Sequence, residues 1–194
     1  AINNQADISS QGNVTLTIDQ LAALNGTVAS QASILATAND MAMGGNWSAM
    51  EDLTLTATNT LTAGQHQWLA GQDVTLKADD ISLQDGHLES GKVLQLQADT
   101  RTDLINQTLL GPSVIMQGSA GGRTATTDIT DSYVGETDES GQIAIKAGQL
   151  TLKQAKQANS EGAEVYTLVS NGAISLQTES VVDQGIRAYS HADI

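Results

Sequence analysis

Five carboxylates stand between residues 128 and 139, namely Asp128, Asp131, Glu136, Asp138 and Glu139, with Tyr133 among them and Tyr166 further along the chain. Oxygen ligands at that density could hold a hard cation such as calcium, or could offer acceptors and phenol rings to a partner. The spacing follows neither the EF-hand loop nor a glycine-rich nonapeptide, so these seven residues read as a solvated, partner-binding set and no metal is assigned. A second group, Asp79, Asp80, Asp99 and Asp103 near Lys77 and Arg101, could supply the acid and base of polysaccharide cleavage. Aspartate also ends strands and opens turns, because its short side chain bonds nearby N–H groups, and that structural role is the preferred one. His66, His87 and His191 are too scattered for a zinc site. Nothing resembles a nucleophile elbow, and GSAGG at 118–122 lacks the lysine and following helix of a phosphate loop. No catalytic residue, cofactor or metal is therefore assigned.

Composition narrows the partners. With 22 Asp and Glu against eight Lys and Arg, the net charge is −14, which disfavours nucleic acid and anionic lipid, since both need concentrated basic charge. There is no cysteine, which excludes disulfides and thiol chemistry. No apolar run approaches the roughly 18 residues of a spanning helix, and the opening residues lack the basic and apolar regions of a signal peptide. The chain is expected to be either cytosolic or, the reading that its internal repeat favours, an internal segment of a longer protein. With no Phe, two Trp and three Tyr, its core has to be built from small aliphatic side chains rather than rings.

What could position the polar groups is a repeat. Within residues 71–100, Val74 and Leu76 flank a Thr, Ile81 and Leu83 flank a Ser, Leu88 follows a turn, and Leu94 and Leu96 reopen the pattern. Apolar pairs at period two, separated by Gly, Asp, Asn or Gln, specify short strands joined by tight turns. The opening pair recurs as Val14/Leu16, Ile34/Ala36, Leu53/Leu55, Val74/Leu76, Leu94/Leu96 and Val114/Met116, at steps of 20, 19, 21, 20 and 20 residues. A second column holds Leu21, Met41, Leu61 and Ile81, falters at Arg101 and resumes at Leu104 and Ile105; a third holds Val28, Trp47, Trp68, Leu88 and Leu109. Gly71, Gly91 and Gly111 mark a corner expected to need a left-handed backbone.

Regular coils thus cover 1–117, followed by a Gly/Thr/Asp-rich insertion at 118–142. Coils resume over 143–194, with a second insertion near 154–170. The later steps, from Val114 to Ile143 and on to Ile174, are 29 and 31 residues, so each of these coils carries about ten extra residues. In the second insertion Val165, Tyr166, Leu168 and Val169 alternate like an extra strand, with a short helix over KQAKQANSEGAE at 153–164 as the alternative.

Three short strands per unit can bury their apolar faces only if units stack, each strand pairing with its counterpart about 4.8 Å along the axis. The expected fold is all-β, a right-handed parallel β-helix (solenoid) with about 20 residues per coil. A propeller would need four strands and about 40 residues per blade. Trp47 and Trp68 share a column, so they either stack inside or form an exposed pair for a sugar; the stacked role is preferred. Asn13, Asn25, Asn46 and Asn106 each begin an Asn-x-Ser/Thr sequon.

AGQDVTLKADDISLQDGHLESGKVLQLQAD at 70–99, EDLTLTATNTLTAG at 51–64 and SGQIAIKAGQLTLKQA at 140–155 resemble the haemagglutinin repeats of filamentous haemagglutinin-like exoproteins. These are the large secreted partners of two-partner secretion in Gram-negative bacteria, and they include the CdiA-type effectors of contact-dependent growth inhibition. The Thr- and Asp-rich stretch before IAIKAG also resembles the second repeat region of those effectors. The resemblance implies an extracellular β-helical shaft, exported unfolded through an outer-membrane secretion partner. It implies adhesion to a cell-surface receptor or glycan, or contact-dependent toxin delivery, and no enzymatic activity. A carbohydrate-active β-helix enzyme and a calcium-dependent binding module are the alternatives.

Overall fold

Alternating inward aliphatic and outward polar residues give every segment one face to bury, and the surface that can bury it is the next coil. A computed structural model describes residues 2–4, 7–138, 140–155, 167–184 and 188–190. The first coils are made of short strands, β1 (Ile2–Asn4), β2 (Ile8–Ser10), β3 (Val14–Thr17), β4 (Leu21–Leu24) and β5 (Val28–Ser30). Long strands follow: β6 (Ile34–Ala49), β7 (Leu53–Ala70), β8 (Val74–Ser90) and β9 (Val93–Gly111). The later coils contain β10 (Ser113–Gln117), β11 (Thr124–Glu136), β12 (Gln142–Ala155), β13 (Leu168–Ser170), β14 (Ala173–Gln184) and β15 (Ala188–Ser190). All of them join one sheet, every described pairing is parallel, and the sheet winds into a β-solenoid of about eight turns.

The first face carries the opening pair, and that pair stacks in one register from end to end. Val14 lies on Ile34, then Leu53, Val74, Leu94, Val114, Ile143 and Ile174 follow. The third face is equally regular: Ile8, Val28, Trp47, Trp68, Leu88, Leu109, Val134, Leu168 and Ala188 succeed one another. Both tryptophans are buried within it. In β6 to β9 the expected trio of short strands is one continuous strand of 16 to 19 residues, because ladder pairing persists around the corners.

The second face keeps the expected register over Met41, Leu61 and Ile81 and departs from it on either side. Ala22, not Leu21, pairs with Met41, and Ile81 pairs with Thr102, which leads to Thr127, Leu150 and Val181. Arg101 pairs with Asp80, one position earlier, and points outward. Because side chains alternate, a shift of one residue exchanges inside for outside. Thr102 and Thr127 are buried in the core with no hydrogen-bond partner for either hydroxyl.

The corner glycines serve a different purpose from the expected one. Gly71, Gly91 and Gly111 do not have positive φ; a Cβ on Gly71 would strike the Met50 carbonyl, and one on Gly91 the Gly71 carbonyl. Their N–H groups donate to Ala49 at 3.0 Å and Ala70 at 2.9 Å for Gly71 and Gly91, so adjacent turns approach more closely than a side chain permits. Left-handed backbone occurs instead between the second and third faces. Gly45 (73°), Gln65 (48°), Asp85 (54°), Asn106 (50°) and Asp131 (47°) supply one such residue in each of five coils, and Ala120 (51°) and Gly121 (74°) add two in the 118–123 corner; Asn and Asp tolerate that conformation best among residues with a side chain.

Residues 118–142 are not a single insertion. β11 pairs with both β9 and β12, which places Ile129 and Val134 in the second and third columns. The additional residues are divided between two corners, 118–123, which includes a 3-10 turn at Ser119–Gly121, and 137–141. The first is held down by Arg123 on Glu179 at 2.8 Å and by Lys146 on the Gly121 carbonyl at 3.3 Å. In the next coil Leu168–Ser170 is the ordinary third-face strand, pairing with β11 and β15, rather than an added one. Residues 153–155 of the alternative helix over 153–164 belong to strand β12, and the rest of it, with Val165 and Tyr166, lies in 156–166, outside the described residues.

Replacing Gly91 with Val is expected to cost about 3 kcal/mol, as overpacking of a closed site does, and to lower the urea midpoint accordingly. An unchanged midpoint would mean that the turns are free to separate at this corner.

Candidate functional site

Acids that are neighbours in sequence become separated here because β11 turns through more than one face. Asp128 faces outward on the second face, Asp131 occupies the left-handed corner, and Tyr133 lies on the third face. A Cβ on Gly135 would meet the Tyr133 ring and the Leu110 side chain, so the ring rests over bare backbone, and burial raises its phenol pKa. Asp138 is exposed and accepts from the Ser140 N–H and hydroxyl, both at 3.2 Å. Glu139 and Tyr166, like His191, lie outside the described residues.

Glu136 points inward and is 4% exposed. Its carboxylate accepts from Ser170 Oγ at 3.0 Å, from the N–H groups of Asn171 and Gly172 at 2.9 Å each, and from the Asp138 N–H. Gly111 pairs with it one coil back. This is a clamp on the widened corner at 137–141, and a carboxylate filled by four donors is not available to a partner. Among the described residues no three His, Asp or Glu side chains gather in a metal-binding group.

The second acidic set is also divided. Arg101 Nη2 lies 3.2 Å from Asp103 and 3.1 Å from Asp128, carboxylates on adjacent coils. Burial raises the Asp103 pKa, Arg101 draws it down, Asp128 raises it and Lys153 lowers it. Asp99 accepts from the Ser119 N–H, at a different corner, and Asp79 is exposed. Paired charges this exposed are worth about 0–1 kcal/mol each.

The described residues do form a concavity, earlier on the second face and at its far end. It is lined by the outward-facing Ala42, Thr62, Gly64, Ser82 and Gln84 together with Asn25, while Met43 and Ala63 border it from buried positions, giving a groove of about 300 Å³. It arises because Ala42, Thr62 and Ser82 stack as small outward residues, the register shifts between Met43 and Gly45, and the space where Gly64 would carry a Cβ is empty.

Beside the groove lies a buried polar cluster. With the Gln107 amide oriented to satisfy both of its atoms, its oxygen accepts from the N–H groups of Gln84, Asp85 and Gly86, each at 3.0 Å, and its nitrogen donates to His66 Nε2 at 3.3 Å. The His66 ring is 5% exposed and packs 4.4 Å from Trp68, and it fits because Gly86 in the next coil has no side chain. Burial, with the nearby His87, lowers the His66 pKa to about 4. His87 points outward to Glu89 at 3.2 Å. The two histidines occupy register positions one residue apart, since His87 pairs with Gln67, and so take opposite sides.

No groove residue was a sequence candidate except Asn25, and that only as a sequon. The signal that could have found them is the outward column Ala42, Thr62, Ser82 beside Gly64, legible once the register is known. Comparison of the chain with protein-family models, curated proteins and solved structures finds no match in any of the three.

Glu136→Ala would leave three N–H groups and a hydroxyl without their acceptor, and is expected to destabilise by about 3 kcal/mol; Glu136→Gln, which retains an acceptor, should lose less. Equal urea midpoints for all three proteins would contradict the clamp. His66 titrates at 6.5 when unfolded and about 4 when folded, so its contribution is complete above pH 6.5 and is lost as the pH falls from 6.5 towards 4. Wild type should therefore lose about 3 kcal/mol more than His66→Gln between pH 7 and pH 4, measured by urea titration at each pH. Parallel curves would show that His66 does not sense this range.

Proposed function

We propose that this chain is a segment of the rigid shaft of a secreted, filamentous haemagglutinin-like exoprotein, acting at the surface of a Gram-negative bacterium in adhesion or contact-dependent toxin delivery. The observation that carries the reading is the unbroken parallel stack, in which the first-face column keeps its register from Val14 to Ile174. A structure whose coils each contact only their neighbours gains reach by adding units, here roughly 40 Å for eight coils at the strand spacing. The absence of cysteine suits a chain exported unfolded through an outer-membrane partner. Among the described residues no helix is long and apolar enough to cross a membrane. The work of such a segment is geometric: ladders and aliphatic columns give stiffness, while recognition of a receptor or glycan falls to corners and faces that the stack leaves free to vary.

A carbohydrate-active enzyme draws on one observation, the burial-raised Asp103 beside Asp128 with Arg101 between them. The labelled chain is expected to bind intact epithelial or bacterial cells saturably, with Asp103→Asn binding as well as wild type and neither protein releasing reducing ends from acidic polysaccharides. Absence of saturable binding would reduce the segment to a spacer, and an activity abolished by Asp103→Asn would favour the enzyme.

A further inference from the structure

We propose that the groove at the end of the second face binds an uncharged sugar residue of a glycan chain. This rests on the adhesive reading above and gives it a ligand class. The rim side chains Asn25, Thr62, Ser82 and Gln84 are amides and hydroxyls, each both donor and acceptor. Sugar hydroxyls have the same dual character, so these four groups can match them in either sense. Thr62 already donates to the Met41 carbonyl at 3.2 Å, which leaves its oxygen to accept. Ala42, the apolar lining residue that faces outward, can meet the C–H face of a pyranose ring, while Met43 and Ala63 keep their side chains in the core. A volume of about 300 Å³ is at the lower end for small-molecule sites and suits a single ring. The open side lets the rest of a chain leave in either direction.

Charge selects among sugars. No lining residue is ionised, and Asp40 and Asp80 stand two positions from Ala42 and Ser82 along the same outward face. In a chain of net charge −14 these carboxylates repel uronic acids, sulfated sugars and sialic acids. The concavity is also particular to these coils. Further along the column that holds Gly64 and Gln84, the residues are Ile105, Thr130 and Lys153, and Asp103 and Asp128 continue the column of Thr62 and Ser82. Later coils fill the space that the earlier ones leave open. The site is rigid before it is occupied, since the Gln84 N–H is already tied to Gln107 and the adjacent corner is held by the His66 contact. Little ordering entropy opposes binding.

The test is saturation-transfer NMR on the full chain with the methyl β-glycosides of glucose, galactose, mannose and N-acetylglucosamine, with glucuronate as the charged comparator. At least one neutral glycoside should receive saturation, and more than glucuronate does. Gly64→Val places its side chain in open space, so it should melt at or above the wild-type temperature while binding about tenfold more weakly. Gln84→Ala, which removes only a rim group, should also weaken binding, and Thr130→Val, on the same face outside the groove, should not. The proposal is overturned if no neutral glycoside receives saturation, if glucuronate does as well, or if Gly64→Val and Gln84→Ala both bind like wild type. Cell binding without sugar binding would leave the adhesive reading and remove the groove; sugar binding without cell binding would do the reverse.

Discussion

Everything in this molecule depends on the parallel ladder, which sets each residue on its counterpart one coil away at about 4.8 Å. Given that spacing, an inward position has no freedom to vary alone, because its neighbours above and below are fixed by the same register. Aliphatic residues satisfy the constraint most simply, and first-face pairs such as Leu53 on Val74 and Leu94 on Val114 are all buried. The same closeness governs the corner of Gly71 and Gly91, where one turn lies against the carbonyl of another. Glycine is needed there for proximity, while the left-handed backbone is taken up by Gln65, Asp85, Asn106 and Asp131 at another corner.

Polar groups that enter this interior meet the constraint in different ways. Glu136 collects four donors across a corner that extra residues have widened. His66 is kept neutral, with Gln107 on one nitrogen and the glycine of the next coil making room for the ring. Thr102 and Thr127 reach no partner at all, which is tolerable because a threonine approximates the shape of the valine that the column would otherwise hold, at the cost of an unpaired hydroxyl. In each case the accommodation spans successive coils and not a local segment.

The surface follows from the same geometry. A repeated unit presents the same outward columns on every turn, so a feature emerges only where the columns change: small residues and Gly64 make the groove, and Arg101 between two carboxylates makes the charged ladder a coil or two further on. A stiff rod with local variations on its faces is well suited to holding a binding site at a distance, since positioning and recognition are encoded in different residues.

The fold was largely legible in the sequence, because a stacked repeat writes its register as a period. The pairing of Trp47 on Trp68, and the steps from Val114 to Ile143 and on to Ile174, follow from spacing alone. What the tertiary structure decided is which way each polar residue faces and which coils widen. Thr102 and not Arg101 continues the column of Ile81, a one-residue choice that period cannot make. The acids from Asp128 to Asp138, close along the chain, were scattered by the corners of β11, while Asn25, Thr62 and Gln84, distant along it, were gathered into one groove. The physical reason is that a period specifies neighbours across coils, whereas direction at a corner depends on backbone angles and on the space left by residues one turn away.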